Sequence, residues 1–140
     1  MTASSAGWGL HRRAAFVYFV ILAVVASLNY LPIPGIVDEH GMSFGIFALD
    51  LFDDALHVGS ALWALAGALI STRAARIFLI GFGALYLADG LLGMATGVGY
   101  LDAGIFRWGV QDTGLVHRLF ANAPHIGLGG VALALGLRRP

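Results

Sequence analysis

Four apolar stretches of this 140-residue chain each carry polar or ionisable residues well inside them: Asn29; Asp53, Asp54 and His57; Asp89; and Asn122 with His125. These side chains have the chemistry to bind a metal, hold a tetrapyrrole, relay protons or lock helices together. Imidazole and carboxylate both suit zinc, iron or manganese, so Asp53, His57, Asp89 and His125 would make a four-donor set. His57 and His125 could instead ligate a haem or another tetrapyrrole between helices. Because the same groups titrate, His57, Asp89 and His125 could also pass a proton. A purely structural account is equally concrete. A His57–Asp89 pair would neutralise a buried carboxylate and set the register of two helices, with Asn29, Asp54 and Asn122 completing a polar layer. Every one of these accounts needs the side chains to face a common interior, since an ionisable group turned into hydrocarbon is expensive.

The elements that must position these residues follow from composition. With 59% hydrophobic and 11% charged residues and a mean hydropathy of +0.83, the chain falls in the integral-membrane class. Its eight basic residues are all Arg and are balanced by eight acidic ones, so there is no surplus positive charge for nucleic acid. Cysteine is absent, which excludes disulfides, thiolate ligands and thiol nucleophiles. No serine elbow, phosphate-binding loop or dinucleotide fingerprint occurs, so metal-assisted hydrolysis is the one conceivable enzymatic chemistry and a non-enzymatic role is expected.

Hydropathy predicts a single all-α membrane domain over 1–140, a four-helix bundle with spans at 14–31, 45–70, 77–98 and 119–137. Pro32 and Pro34 end the first span. The short link between the second and third makes them antiparallel neighbours. The stretch 99–118 is too polar to cross and is expected to contain a short interfacial helix. Arg12/Arg13, Arg73/Arg76 and Arg138/Arg139 fall on one side of such a bundle, which predicts both termini inside, in a bacterial inner membrane. A cleavable signal peptide ending near Ala26 is the alternative reading of the first run. It suits the length of that run and its Pro-rich ending less well than an uncleaved span.

Counting inward from those arginines at the helical rise puts Asn29, His57, Asp89 and His125 roughly 20 to 24 Å from the inner boundary, in the outer half of the membrane. Asp50, Asp53, Asp54 and His57 share one helical face, and Arg118, Asn122 and His125 share another. Asp50 is expected to cap its helix. His11, His40 and His117 are expected to be solvated. The inner half is nearly free of polar groups apart from Ser60 and Ser71, which argues against a through-channel. Small residues, among them Gly59, Gly67, Gly81, Gly83, Gly90, Gly93, Gly127, Gly129 and Gly130, are expected to permit close helix approach.

The run Phe44-Gly45-Ile46-Phe47, the Asp53-Asp54-x-x-His57 cluster, Arg73-x-x-Arg76, Gly83-x-x-Tyr86, Gly93 and the closing Pro124-His125-Ile126-Gly127-Leu128-Gly129 resemble domain-of-unknown-function family 4383, small four-span bacterial membrane proteins. The resemblance covers about 44–93 and 122–137. It implies a four-helix membrane domain and carries over no activity. Members of that family usually show His-Asn-x-x-His where this chain has Asp53-Asp54-Ala55-Leu56-His57, and an apolar residue where it has Asp89. A site using Asp53 and Asp89 would therefore be particular to this chain. The expected function is that of an accessory or scaffold subunit in contact with lipid, partner subunits or its own copies. The alternative is a cofactor-binding protein, and a proton relay ranks third.

Overall fold

The computed structural model describes residues 8–31, 33–40, 42–45 and 50–139. Residues 1–7 of the N-terminal arm, Pro32, Ile46, Phe47 and the side chain of Asn29 lie outside the described residues. Among the described residues there are four long helices and one short one: α1 (Leu10–Ser27), α2 (Leu51–Ile70), α3 (Thr72–Thr96), α4 (Gly104–Trp108) and α5 (Leu115–Leu137). A 3₁₀ turn at Leu28–Tyr30 follows α1, and no strand occurs among the described residues. Among the described residues three helices, α1, α3 and α5, are long and apolar enough to cross a membrane. α2 has 20 residues, but Asp53, Asp54 and His57 near its start lower its hydropathy.

The helices overrun the hydropathy boundaries at the arginine-bearing end. α1 begins at Leu10 rather than at 14 and α3 at Thr72 rather than at 77, so Arg12, Arg13, Arg73 and Arg76 are helical. Terminal carbonyls explain why. The last carbonyls of a helix lack intrahelical donors, and cations are favoured there by the helix dipole. Arg12 donates to the carbonyls of Ala68 (2.6 Å) and Leu69 (3.0 Å) at the end of α2. Arg76 donates to the Gly136 carbonyl of α5 at 2.9 Å. The His11 ring lies 3.2 Å from the Arg138 carbonyl, and this contact buries to 1% exposure a histidine that the sequence alone places in solvent. At the opposite end α5 begins at Leu115, not 119, and takes in His117 and Arg118.

α2 starts at Leu51, later than 45, because Asp50 caps it: its carboxylate accepts from the amides of Phe52 and Asp53, while Asp53 accepts from the Asp50 amide. One residue, Ser71, separates α2 from α3 and caps the latter by accepting from the Ala74 amide. The expected short helix within 99–118 is α4.

Packing is governed by α3, which touches α1, α2 and α5 and lies closest to α5. Glycine makes that closeness achievable. A Cβ on Gly83 would meet the backbone of Leu133, one on Gly90 would meet Ile126, one on Gly93 would overlap the Asn122 amide, and one on Gly129 would meet the backbone of Leu87. Gly59, Gly127 and Gly130, expected to pack in the same way, have nothing within 4 Å of such an atom and face open space. Toward the arginine-bearing end an aromatic plug fills the bundle. Phe82 stacks on Tyr86 at 3.9 Å between ring centroids, with Tyr18 and Phe78 each 5.3 Å from Phe82. Tyr86 and Ser60 bond to each other at 2.9 Å where the plug ends.

Candidate functional site: a histidine-lined pocket in one half of the bundle

Above the plug lies a cavity of about 400 Å³ whose wall includes Asp53, His57, Asp89, Asn122 and His125. Its wall is built from the end of α1 and the turn after it, the loop before α2, the start of α2, Asp89 of α3, the loop after α3, and α5. The cluster therefore comes together much as the helical faces predict, although its internal pairing differs. His57 and Asp89 are not each other's partners. Asp89 pairs with His125, Nδ1 to Oδ2 at 2.5 Å, and its Oδ1 accepts from the amides of Tyr100 (2.6 Å) and Leu101 (2.8 Å). The α3–α5 contact produces this choice, since Gly90 and Gly93 let α5 come close enough to deliver His125 before α2 can reach. Gly99 completes the arrangement, because a side chain there would run into the Asp89 carboxylate.

At 2% exposure and with both oxygens engaged, Asp89 is an organiser of the loop and of α5. This bears directly on metal binding. Among the described residues no group of three or more His, Asp, Glu or Cys side chains is arranged to hold a metal ion.

The two imidazoles are different. His57 Nδ1 lies 2.7 Å from the Asp53 carbonyl, an atom that can only accept, so the proton sits on Nδ1. His125 Nδ1 likewise faces a carboxylate oxygen. In each neutral ring Nε2 is therefore left as a lone-pair acceptor. Among the described residues neither Nε2 has a hydrogen-bond partner, and neither is sealed away from accessible space. The rings stand 6.4 Å apart between centroids, and Tyr86 packs edge-on against His125 at 4.9 Å. Anchoring one ring nitrogen on a carbonyl or carboxylate fixes the tautomer and aims the other at whatever is bound, as partners outside a ligand shell commonly do.

The remaining members of the polar layer are structural. Asn122 donates to the Arg118 carbonyl at 2.8 Å and fills the space beside Gly93. Asp54 is buried and accepts from the Tyr30 hydroxyl at 2.6 Å; among the described residues its second oxygen has no hydrogen-bond partner. At the rim Arg107 bonds Asp50 at 2.6 Å and lies over the Phe52 ring. Partial burial works against the ionised Asp50, but Arg107 and the amides of Asp53 and Phe52 outweigh it and hold the carboxyl below its usual range. Arg118 reaches back to the Ala95 and Gln111 carbonyls and closes the end of α3.

Sequence reasoning did not place two residues at the site: Asp102 and His117 both line the cavity, His117 remaining exposed as expected. Asp102 comes from the loop after α3, where helical periodicity offers no signal, and His117 from the first turn of α5, which hydropathy places outside the helix. The Tyr30–Asp54 bond was equally invisible, because it depends on the 3₁₀ turn after α1. No family model, curated protein or solved structure matches the chain.

Proposed function

We propose that this chain is a four-span, non-enzymatic protein of a bacterial inner membrane that binds a small ligand in its outer half, through His57 and His125. The observation that carries this reading is the pair of imidazoles anchored at Nδ1, with no hydrogen-bond partner at Nε2 among the described residues, that line one cavity. A packing network would have no use for leaving both acceptors open.

Antiparallel packing supports four spans. α2 lies between α1 and α3, which are apolar enough to cross, and its carboxylates gather at the end where the cavity and the Arg107 rim receive them. With both termini inside, six of the eight arginines lie on the cytoplasmic side. Because the chain has no cysteine, single cysteines report topology directly. In intact cells an impermeant maleimide is expected to label Thr113→Cys and to leave Ser71→Cys untouched until the membrane is opened. The reverse pattern would invert the topology and place the pocket on the cytoplasmic face.

Binding is tested on gently extracted protein by optical spectrum, metal content and mass spectrometry of extractable small molecules. One species, at about one per chain, is expected in the wild type and is depleted in His57→Ala and His125→Ala. Wild type and variants that carry the same small molecules in the same amounts would overturn the reading.

A scaffold or accessory role is the second reading. The fully engaged Asp89, the Asn122–Gly93 contact and the Ser60–Tyr86 pair favour it, since they are the self-satisfied polar contacts that specify helix packing in lipid. Under that reading the histidine variants leave the set of bound molecules unchanged and alter only co-purifying protein partners.

A further inference from the structure

We infer that the ligand is a single-chain amphiphile, its hydrogen-bond-donating headgroup at His57 and His125 and its apolar chain laid in the seam between α1 and α5. This deepens the binding reading and rests on it.

The pocket is not the only space along that seam. A second cavity, of about 570 Å³, lies between α1 and α5 with Val17, Ile21, Gly127 and Val131 in its wall. The two spaces share a boundary residue, Pro124, which lines both. They have opposite chemistry: the first is bordered by two histidine acceptors and by Asp53 and Asp102, whereas the second is walled by apolar side chains. The one hydroxyl near the groove, that of Tyr18, is tied to the Leu128 carbonyl at 2.6 Å.

α1 and α5 touch only sparsely, and Gly127 leaves open space where a side chain would narrow the groove. From Pro124 to Leu135 the groove follows α5 for about 16 Å, the reach of a long alkyl chain. A groove of this kind in a bilayer fills with alkyl chain, because a void forfeits dispersion contacts. A chain lying there reaches Pro124 with its end at the pocket.

Acceptors on both imidazoles, with carboxylates beside them, select a headgroup that donates hydrogen bonds, that is, a hydroxyl or a primary amine. A quaternary ammonium head has no proton to give and lacks that recognition.

The test uses the full chain in lipid nanodiscs and a long-chain primary amine carrying a photoactivatable diazirine on its alkyl chain. Crosslinks are expected to concentrate on Val17, Ile21 and Val131. They should fall about tenfold in Gly127→Leu, which fills the groove, and stay unchanged in Gly130→Leu, the same substitution on the same helix outside it. Neither site has a neighbour within 4 Å of an added Cβ, so both variants keep the fold. The matching alcohol should compete, and the quaternary ammonium analogue should not. Labelling spread evenly around the bundle, indifference to Gly127→Leu, or equal competition by the quaternary analogue would each overturn the inference.

A short, water-soluble primary amine separates this inference from the reading beneath it. If it perturbs the imidazole ¹⁵N resonances of His57 and His125 while the long-chain probe ignores the groove, the pocket stands and the amphiphile fails. If neither probe binds, both fail.

Discussion

Asp89→Ala is expected to destabilise the protein by about 3–5 kcal/mol, because each buried donor left without its carboxylate acceptor costs about 1–3 kcal/mol. The carboxylate accepts from the Tyr100 and Leu101 amides and from His125, so its loss strands three donors at once and releases the loop that carries α4. Equilibrium unfolding in mixed micelles measures the effect; a loss below about 1 kcal/mol would show that water enters and replaces the carboxylate.

Asp89→Asn separates structure from function at the same position. The amide oxygen still accepts from the two backbone amides, so the stability loss should be about 1–2 kcal/mol. Its NH₂ group then faces His125 Nδ1, which must give up its proton to accept. The proton moves to Nε2, turning the cavity-facing atom from acceptor to donor. A folded Asp89→Asn protein is therefore expected to show the opposite His125 tautomer in its imidazole ¹⁵N spectrum and to lose its ligand. An unchanged tautomer would remove Asp89 from the account of binding.

The second large effect is expected at Gly83. A Cβ there would stand 2.7 Å from Leu133 Cα and 2.8 Å from Leu133 Cβ and would press on the Leu133 amide nitrogen as well. Backbone on the facing helix cannot turn aside as a flexible side chain can, so α3 and α5 must separate along their length. Gly83→Ala should cost about 3 kcal/mol, at the upper end of ordinary overpacking. The opposing gain in helix propensity, about 1 kcal/mol, is included in that balance. Gly130→Ala, facing open space, should be neutral or slightly stabilising. Thermal melting of both in one detergent provides the check, and equal midpoints would mean that the α3–α5 interface is looser than its glycines imply. The pocket should suffer with the interface, because the same approach of α5 brings His125 to Asp89.

Much of the architecture is legible in the chain. Helix lengths follow from apolar runs, and the arginine pairs mark one end of the bundle. The stripe Asp50, Asp53, Asp54 and His57 shows which face of α2 turns inward, since the helical period dictates which side chains share a face. Helix ends were less legible. Hydropathy registers where lipid begins, whereas Arg12 and Arg76 extend order past that point by bonding carbonyls of other helices, a contact that no local window contains.

Sequence alone determined that polar groups would collect in one half of an apolar helical bundle, because burying them singly in hydrocarbon is too costly. Only the tertiary structure decided how they pair and what they leave open. Periodicity names the face a residue occupies but not the helix opposite, and that depends on how closely two backbones approach. Gly83, Gly90, Gly93 and Gly129 bring α5 against α3, so Asp89 takes His125 in place of His57. Both histidines are then held at Nδ1 in the wall of one cavity, and the sparse contact between α1 and α5 leaves a groove running down from it.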